Sequence, residues 1–301
     1  MTLTFDKTRA HCLPQSLGGG DPDMADKTDF LLRFWGVRGS IPTSDDGTRR
    51  YGGNTSSLEI QCGPRTLLFD AGTGIRYLGN KICASGAPVD ADLFLTHTHY
   101  DHVCGIPFFS PFFNPANTFR VWAGHLLPDL DIHTVLCELM MAPLFPVPPA
   151  VFCAKVEFRD FSCGQTLDLG DGISLRTAPL NHPDRATGYR IDFDGHSICY
   201  LTDHEHVPGE LDDNVVNLIR DADLVVYDSM FTEEEYASRV GWGHSTWEAG
   251  ADVCDAANAK TLVIFHHDPD HDDAFMDEIA AAAERRRPGT VVAREGMVLK
   301  P

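Results

Sequence analysis

The sequence predicts an α/β protein, and three observations support that prediction. Its 301 residues are 43% hydrophobic and 23% charged, a composition typical of globular proteins. Short apolar runs bounded by turn-forming residues recur along the chain, as expected for strands. Longer segments without such breaks, at residues 75–84, 246–257 and 273–287, are typical of helices.

The chain divides into a short N-terminal segment and one large domain. Residues 1–28 contain a polar, Gly-rich run without periodicity, which predicts a flexible extension. Residues 29–301 are predicted to form a single domain. Its first elements are strands at residues 30–35, 57–62, 66–70 and 91–95, and a helix at residues 75–84. The chain after residue 103 is predicted to be irregular as far as a strand at residues 173–177.

Four strong metal-ligating side chains follow the apolar strand at residues 91–95. His97, His99, Asp101 and His102 form an H-x-H-x-D-H pattern within six positions. Loops at strand ends are where rigid scaffolds usually present functional groups. Imidazole and carboxylate ligands suit zinc, iron or manganese better than calcium or magnesium, which prefer oxygen. The pattern therefore predicts a transition-metal or zinc site.

The second half of the domain supplies further ligands at predicted strand ends. Strands are predicted at residues 173–177, 189–193, 197–202, 224–227 and 261–265, the second and third joined by a turn at Asp194 and Gly195. His182, Asp203 and His266 each lie just beyond one of these strands. Their residue types and positions at strand ends make them candidates for further ligands.

The pattern over residues 97–102 resembles the signature of the metallo-β-lactamase superfamily. That resemblance covers roughly residues 30–301 and implies a four-layer αββα sandwich, with the site at the edge where two sheets meet. It implies two divalent metal ions, with zinc expected and manganese or iron as alternatives. By the same resemblance, Asp70 supports the metal-binding loop from behind. The implied ligands are His97, His99 and His182 for the first metal, Asp101, His102 and His266 for the second, and Asp203 as a bridge.

Charge and composition restrict the partners. The formal net charge of −20 disfavours a large nucleic-acid footprint, which needs a basic face. No apolar run approaches the ~20 residues that cross a bilayer, and the N-terminus lacks a signal-peptide core. The nine cysteines form no C-x-x-C pair, as expected for reduced thiols in the cytoplasm. Oligomeric state is left open, with a homodimer among the options.

A proton donor is predicted from a second resemblance. The segments around Asp228 and His244 resemble those of the tRNA 3′-processing endonuclease RNase Z and its phosphodiesterase relatives. That resemblance implies that a carboxylate at Asp228 pairs with His244, which assists departure of the leaving oxygen. RNase Z usually has glutamate at the Asp228 position, so the aspartate is a departure from the pattern. The candidate catalytic residues are therefore His244, Asp228 and the ligand Asp101.

Four residues are candidate substrate contacts. Arg38, Asn54 and Arg185 are candidates for phosphate binding, because a guanidinium group matches phosphate geometry. His267, beside the ligand His266, is a further candidate. Structural ion pairs and turn hydrogen bonds are the alternative roles for the first three.

These features together predict a cytoplasmic dinuclear-metal hydrolase that cleaves a small or cyclic phosphodiester with a metal-bridging hydroxide. RNase Z carries a Gly-rich basic arm that grips tRNA, and no such insertion is seen between Asp101 and Asp203, which favours a small anionic substrate. Three alternatives stay open. They are hydrolysis of a lactone, thioester or lactam, an RNase Z-like endoribonuclease, and a metal-dependent binding or sensor protein without turnover.

Overall fold

The computed structural model describes residues 29–301, which contain fourteen strands and seven α-helices. The prediction for residues 1–28 concerns a segment outside the described residues. The strands are β1 (Phe30–Gly36), β2 (Ser57–Cys62), β3 (Arg65–Phe69), β4 (Asp90–Leu95), β5 (Thr118–Ala123), β6 (Lys155–Asp160), β7 (Thr166–Gly170), β8 (Ile173–Leu180), β9 (Ala186–Phe193), β10 (His196–Leu201), β11 (Leu224–Asp228), β12 (Thr261–Phe265), β13 (Val291–Val292) and β14 (Val298–Leu299). The helices are α1 (Ile75–Ser85), α2 (Tyr100–Val103), α3 (Ile132–Leu139), α4 (Asp213–Ile219), α5 (Glu233–Tyr236), α6 (Trp247–Ala256) and α7 (Asp273–Arg286).

The strands form two seven-stranded mixed sheets. The first has the order β14-β1-β2-β3-β4-β5-β6, antiparallel as far as β3 and parallel from β3 to β6. The second has the order β13-β12-β11-β10-β9-β8-β7, antiparallel from β7 to β10 and parallel from β10 to β13. The carboxyl ends of the parallel strands in each sheet share one edge, which is where such sheets usually bind ligands.

The two sheets pack face to face around an aromatic core. Phe69 stacks on Phe94 with ring centroids 5.4 Å apart, and meets Tyr189 of the other sheet at 5.3 Å. All three rings are fully buried. Burying each large apolar side chain stabilises the fold by about 1.5–3 kcal/mol relative to exposure, so this interface fixes the sheets against each other beneath the site.

Helices cover the outer face of each sheet. An apolar layer that includes residues of α1 and α3 packs on the first sheet, and one that includes residues of α4, α6 and α7 packs on the second. The order of layers is helix, sheet, sheet, helix. The predicted αββα sandwich is therefore confirmed.

The three predicted helices agree with the structure to within one residue at each end, whereas the predicted strand at residues 189–193 begins three residues earlier, at Ala186. Helix α1 ends at Gly86, which has a left-handed φ of 68°. Helix α7 begins after Asp272, whose side chain accepts a hydrogen bond from the Phe275 amide, and has Arg285 and Arg286 in its last turn. These local signals explain why the helix positions were readable from sequence.

The prediction that residues 104–172 are irregular was wrong, because β5, α3, β6 and β7 lie there. Strand β5 alternates buried and partly buried residues between β4 and β6. Strands β6 and β7 lie at sheet edges and are polar, with none of their residues fully buried. They therefore lack the apolar run that marks an interior strand.

None of the helices within residues 29–301 has both the length and the apolar character needed to cross a bilayer.

Candidate active site

The predicted ligands meet at the edge where both sheets end. His97 and its neighbours follow β4, His182 follows β8, Asp203 follows β10, and His266 follows β12. Asp203 and His266 have left-handed φ angles of 57° and 62°, as does Asp70 after β3 at 55°. Such angles are rare and strained for residues other than glycine. Each turns its side chain sharply out of a strand toward the cluster.

Three imidazoles form one half of the cluster. Nε2 of His182 lies 3.0 Å from Nδ1 of His99, and the His97 ring lies 4.5 Å from the His99 ring and 4.8 Å from the His182 ring, centroid to centroid. The ligand atoms of all three lie within 4.8 Å of one another. This half can hold one metal ion.

Asp101, His102 and His266 form the other half. Oδ2 of Asp101 lies 3.2 Å from Nε2 of His102 and 3.4 Å from Nε2 of His266. Tetrahedral coordination at ~2.1 Å places neighbouring ligand atoms about 3.4 Å apart. These distances therefore fit a second metal ion.

Asp203 lies between the two halves and offers one oxygen to each. Its Oδ1 is 3.7 Å from Nε2 of both His97 and His182. Its Oδ2 is 3.1 Å from Nε2 of His102 and 3.2 Å from Nε2 of His266. This is the arrangement expected of a carboxylate that bridges two ions.

The unpaired polar atoms show that the residues fit metal ions. Nε2 of His97, His102 and His266 is buried without a hydrogen-bond partner within residues 29–301. Buried polar groups are normally paired, so three converging orphan nitrogens indicate a missing partner. Asp70, Asp101, Asp203 and Asp228 are also buried here. Burying that many carboxylates is costly without compensating positive charge, which two divalent ions would supply.

The pKa shifts of the candidate ligands also favour metal binding. Burial and the neighbouring imidazoles lower the pKa of His97 well below its usual value, which keeps it neutral and able to ligate. Burial lowers the pKa of His102, but Asp101, Asp203 and Asp70 raise it more, so the net shift is upward. Burial raises the pKa of Asp203, but His266, His102 and His97 outweigh that effect and lower it. The lowered pKa of Asp203 favours its ionised form, as a metal ligand requires.

Hydrogen bonds behind the ligands orient their rings. Asp70 accepts from Nδ1 of His102 at 2.9 Å, from the Thr96 amide at 2.8 Å and from the Tyr200 hydroxyl at 2.8 Å. The carbonyl of Gly243 accepts from Nδ1 of His182 at 2.7 Å. Each ring then presents its remaining nitrogen to the cluster. The position of Asp70 is the one that its predicted supporting role requires.

His244 and Asp228 form a pair above the cluster. Nδ1 of His244 lies 2.9 Å from Oδ2 of Asp228, so the shorter aspartate side chain still reaches the histidine. The amides of His204, Met230 and Ser245 also donate to the fully buried Asp228. Burial lowers the pKa of His244, but Asp228 and Asp203 raise it more, to about 9.

This pairing leaves the other ring nitrogen of His244 without a bond to any residue of 29–301. The His244 ring lies 5.0 Å from that of His266 and 5.5 Å from that of His182, centroid to centroid. His244 therefore lies over both halves of the cluster with one ring nitrogen free of contacts to the described residues.

Two predicted substrate contacts lie in the interior, and the structure contradicts their prediction. Arg38 is fully buried and donates to the carbonyls of Gly52, Asp268 and His271. His267 is also fully buried, with Nε2 2.9 Å from the Ala293 carbonyl. Both side chains hydrogen-bond to backbone carbonyls of loops around the site and are inaccessible to a substrate.

Of the other two candidates, Asn54 is partly buried and Arg185 is exposed. The amide nitrogen of Asn54 donates to Glu295 and its oxygen accepts from Thr73, so both polar groups already serve the scaffold. Arg185 is exposed on the loop after His182 and pairs with Asp129 at 2.8 Å. Of the four candidates, Arg185 alone combines exposure with a place beside a ligand, and its substrate role stays a prediction.

Sequence reasoning missed residues that act on the ligands through close contact. A Cβ on Gly39 would lie 2.5 Å from Nδ1 of His266, and a Cβ on Gly243 would lie 2.4 Å from Nδ1 of His182. The carboxylate of Asp184 lies 3.5 Å from Nε2 of His99. No sequence motif marks Gly39 or Asp184. For Gly243, the available signal was the Gly-Trp-Gly run at residues 241–243.

Apolar side chains border the metal-binding loop. Tyr100, between the candidate ligands His99 and Asp101, is 71% exposed, and Phe108 is 57% exposed. Both line a cavity of about 210 Å³ that also includes Arg76. Not every aromatic side chain of residues 108–113 is exposed, since Phe109 and Phe112 are buried. A larger cavity of about 940 Å³ lies behind the site, and none of the seven candidate ligands lines it.

Comparison with known proteins agrees with this geometry. A sequence profile of the beta-lactamase superfamily domain matches residues 65–267. The chain belongs to that superfamily. Because the matched segment holds every candidate ligand, the chain is a metal-dependent hydrolase of the metallo-β-lactamase fold, and the predicted superfamily is confirmed.

Individual relatives add detail. Ribonuclease Z of Bradyrhizobium sp. (strain ORS 278) is 27% identical over 317 residues, which covers 88% of this chain and 98% of that protein. The metallo-beta-lactamase fold protein YhfI from Bacillus subtilis has a TM-score of 0.68 at 20% identity, over 90% of this chain and 99% of that one. A diphosphatase from the PhnP family has a TM-score of 0.63 at 19% identity, over 91% and 98%. The two structural matches concern the fold alone.

Proposed function

We propose that this protein is a dinuclear-metal phosphodiesterase that acts on a small or cyclic phosphodiester. The observation that supports the proposal most directly is the pairing of His244 with Asp228 over a complete two-metal ligand set. Cleavage of a phosphodiester releases an alkoxide, which is a poor leaving group unless it is protonated. Hydrolysis of a thioester or an activated ester has less need of such a donor, because its leaving group is stable as an anion.

Each metal ion would have its own set of candidate ligands. When bound, two divalent ions, zinc foremost and manganese or iron as alternatives, would activate water and polarise a phosphoryl oxygen. His97, His99 and His182 would hold one ion, Asp101, His102 and His266 the other, and Asp203 both. Asp70 fixes the His102 ring through its Nδ1, so that Nε2 faces the cluster.

His244 is the proposed general acid. Asp228 accepts from its Nδ1 at 2.9 Å, which fixes the ring and keeps the imidazolium stable. The opposite nitrogen then carries the proton that the leaving oxygen receives. Asp228 does not move in this step, because backbone amides hold both of its oxygens.

A small substrate suits the charge of the protein. A formal net charge of −20 opposes an RNA backbone over an extended surface, whereas a single phosphodiester needs only the local positive charge of the metals. Arg185, exposed beside His182, is the proposed residue for a second anionic group of the substrate. Seven cysteines in residues 29–301 are free, which fits a reducing cytoplasmic location: Cys62, Cys104, Cys137, Cys153, Cys163, Cys199 and Cys254.

RNase Z-like endoribonuclease activity is the second candidate. The similarity to a ribonuclease Z over 98% of that relative's length favours it. It would require this acidic chain to hold a tRNA precursor, so RNA binding separates the two candidates.

The test is turnover by the metal-loaded protein on a panel of substrates. The panel contains bis(p-nitrophenyl) phosphate, a 2′,3′-cyclic nucleotide, a tRNA precursor, a p-nitrophenyl carboxylic ester and a chromogenic β-lactam. We expect cleavage of the two small phosphodiesters, and loss of that cleavage in Asp203→Ala. Cleavage of the tRNA precursor alone would support the second candidate. Cleavage of ester or lactam alone would refute both, and inertness toward the whole panel would indicate a binding protein.

A further inference from the structure

The segment that contains His244, residues 237–246, joins α5 to α6 and is named the His244 loop. It has no regular secondary structure over residues 240–243. Gly241 and Gly243 have left-handed φ angles of 89° and 88° on either side of Trp242, which is 62% exposed. Glycines in such conformations cost conformational entropy on ordering. A loop of this kind needs a specific anchor if it is to hold a catalytic group still.

Glu205 supplies that anchor from the segment after β10. Its Oε1 accepts from the Gly241 amide at 2.6 Å, and its Oε2 accepts from the Gly243 amide at 2.6 Å. The Tyr236 hydroxyl, at the start of the loop, lies 3.1 Å from Oε1. Both hydrogen bonds are short, and Glu205 is buried. One carboxylate therefore clamps both glycines.

Glu205 is linked to His244 and His182 through its contacts with Gly243 and Asn181. Gly243 precedes His244, so its fixed backbone sets where the His244 ring begins. The Gly243 carbonyl also accepts from Nδ1 of the candidate ligand His182 at 2.7 Å. Glu205 also contacts Asn181, the residue before His182: the Glu205 amide donates to the Asn181 carbonyl at 2.8 Å, and the Asn181 side chain donates to the Glu205 carbonyl at 2.8 Å. Glu205 itself lies two residues beyond Asp203.

We propose that Glu205 is the positioning residue of the active site, which holds the His244 loop so that His244 stays on Asp228 and can protonate the leaving group. Glu205 touches neither substrate nor metal in this scheme. The inference about proton donation rests on the proposed phosphodiesterase function, whereas the inference about the loop does not.

The test compares Glu205→Gln with Glu210→Gln in the full metal-loaded protein. Glutamine keeps the size of Glu205, but its amide nitrogen is a donor and would face the Gly241 or the Gly243 amide. Glu210 lies in the same segment, is exposed, and its side chain has no hydrogen bond or ion pair with the rest of residues 29–301. Both variants remove one negative charge, so the pair isolates the clamp.

The first readout is amide hydrogen exchange of peptides that cover residues 237–246, which needs no activity. We expect faster exchange there in Glu205→Gln and unchanged exchange in Glu210→Gln. Unchanged exchange in Glu205→Gln would overturn the proposal. If wild-type protein cleaved no phosphodiester, the proposed function would fail while this readout still decided the role of Glu205 in the loop.

The second readout separates positioning from general disorder. In Glu205→Gln we expect kcat for a 2′,3′-cyclic nucleotide, whose leaving group is an alkoxide, to fall ~10–100-fold with KM nearly unchanged. The fall for bis(p-nitrophenyl) phosphate should be under ~3-fold, because nitrophenolate leaves without protonation. Equal losses on both substrates, or loss of bound metal, would overturn the proposal.

Discussion

At the scale of the residue, a glycine sets the position of one candidate metal ligand. Gly39 packs so closely on the His266 ring that a Cβ would lie 2.5 Å from Nδ1. That Nδ1 has no hydrogen-bond partner within the described residues, so steric contact rather than a hydrogen bond orients the ring. Ser40, the next residue, donates its backbone amide to Asp101 at 2.9 Å.

Replacing this glycine should therefore weaken the second metal site. In Gly39→Ala the new methyl group would displace the His266 ring, and we expect metal affinity at that site to fall ~10–100-fold. Zinc titration against a competing chelator measures this. Ser40→Ala is the control, because the Ser40 side chain is exposed and only its backbone amide contacts Asp101. Equal affinity in the two variants would show that His266 does not depend on Gly39.

His244 gives the clearest prediction about turnover. We expect His244→Ala to bind both metal ions and to cleave an alkoxide-releasing phosphodiester ~10²–10⁴-fold more slowly. The loss on bis(p-nitrophenyl) phosphate should be much smaller. Asp228→Asn should show the same pattern in weaker form, since the asparagine can no longer stabilise the imidazolium. A full rate in His244→Ala on the cyclic nucleotide would remove His244 from the mechanism.

The sequence predicted site residues where a histidine or an aspartate follows a predicted strand. That combination marked all seven candidate ligands, and the structure brings them together. Arg38 and His267 were misjudged because charge and proximity in sequence do not show burial. Glu205, Gly39 and Gly243 act through contacts between residues that are 24 to 227 positions apart in sequence, and single-sequence patterns do not encode such contacts.

At the scale of the element, helix α6 links the fold to the His244 loop. Thr246 is its N-cap, and the Thr246 hydroxyl accepts from the Ala249 amide at 3.1 Å. The same element was predictable from sequence because its start is a local signal. Strands β6 and β7 were not, because they are polar edge strands whose formation depends on neighbours far along the chain.

The cap gives a prediction about stability. Thr246→Ala should lower the free energy of unfolding by about 1 kcal/mol, because one amide of the first turn loses its partner. Chemical denaturation of the metal-loaded protein measures the change. Thr246→Ser keeps the hydroxyl and is the matched control for the hydrogen bond. If Thr246→Ser lost as much free energy of unfolding as Thr246→Ala, the effect would come from the buried methyl group and not from the cap.

At the scale of the whole molecule, the metal ions and the fold are expected to stabilise each other. Asp70, Asp101, Asp203 and Asp228 are buried in one cluster, and without cations their charges repel. A ligand that binds the folded state alone stabilises it by ~2.7 kcal/mol at one hundred times its Kd. The site thus contributes to the stability of both sheets.

Chelation should therefore lower the melting temperature. We expect EDTA treatment to reduce the Tm by several degrees, and readdition of zinc to restore it. The same treatment of Asp203→Ala should shift the Tm much less, because the bridge between the ions is gone. A wild-type Tm that does not respond to chelation would mean that the cluster is stable without metal.

Bound metal per chain, measured together with phosphodiester turnover, tests the proposed dinuclear site most directly. We expect two ions per chain in the active wild-type protein. We also expect Asp203→Ala to retain fewer ions and to cleave bis(p-nitrophenyl) phosphate at least ~10²-fold more slowly. Full turnover with one ion per chain, or with none, would contradict a dinuclear mechanism.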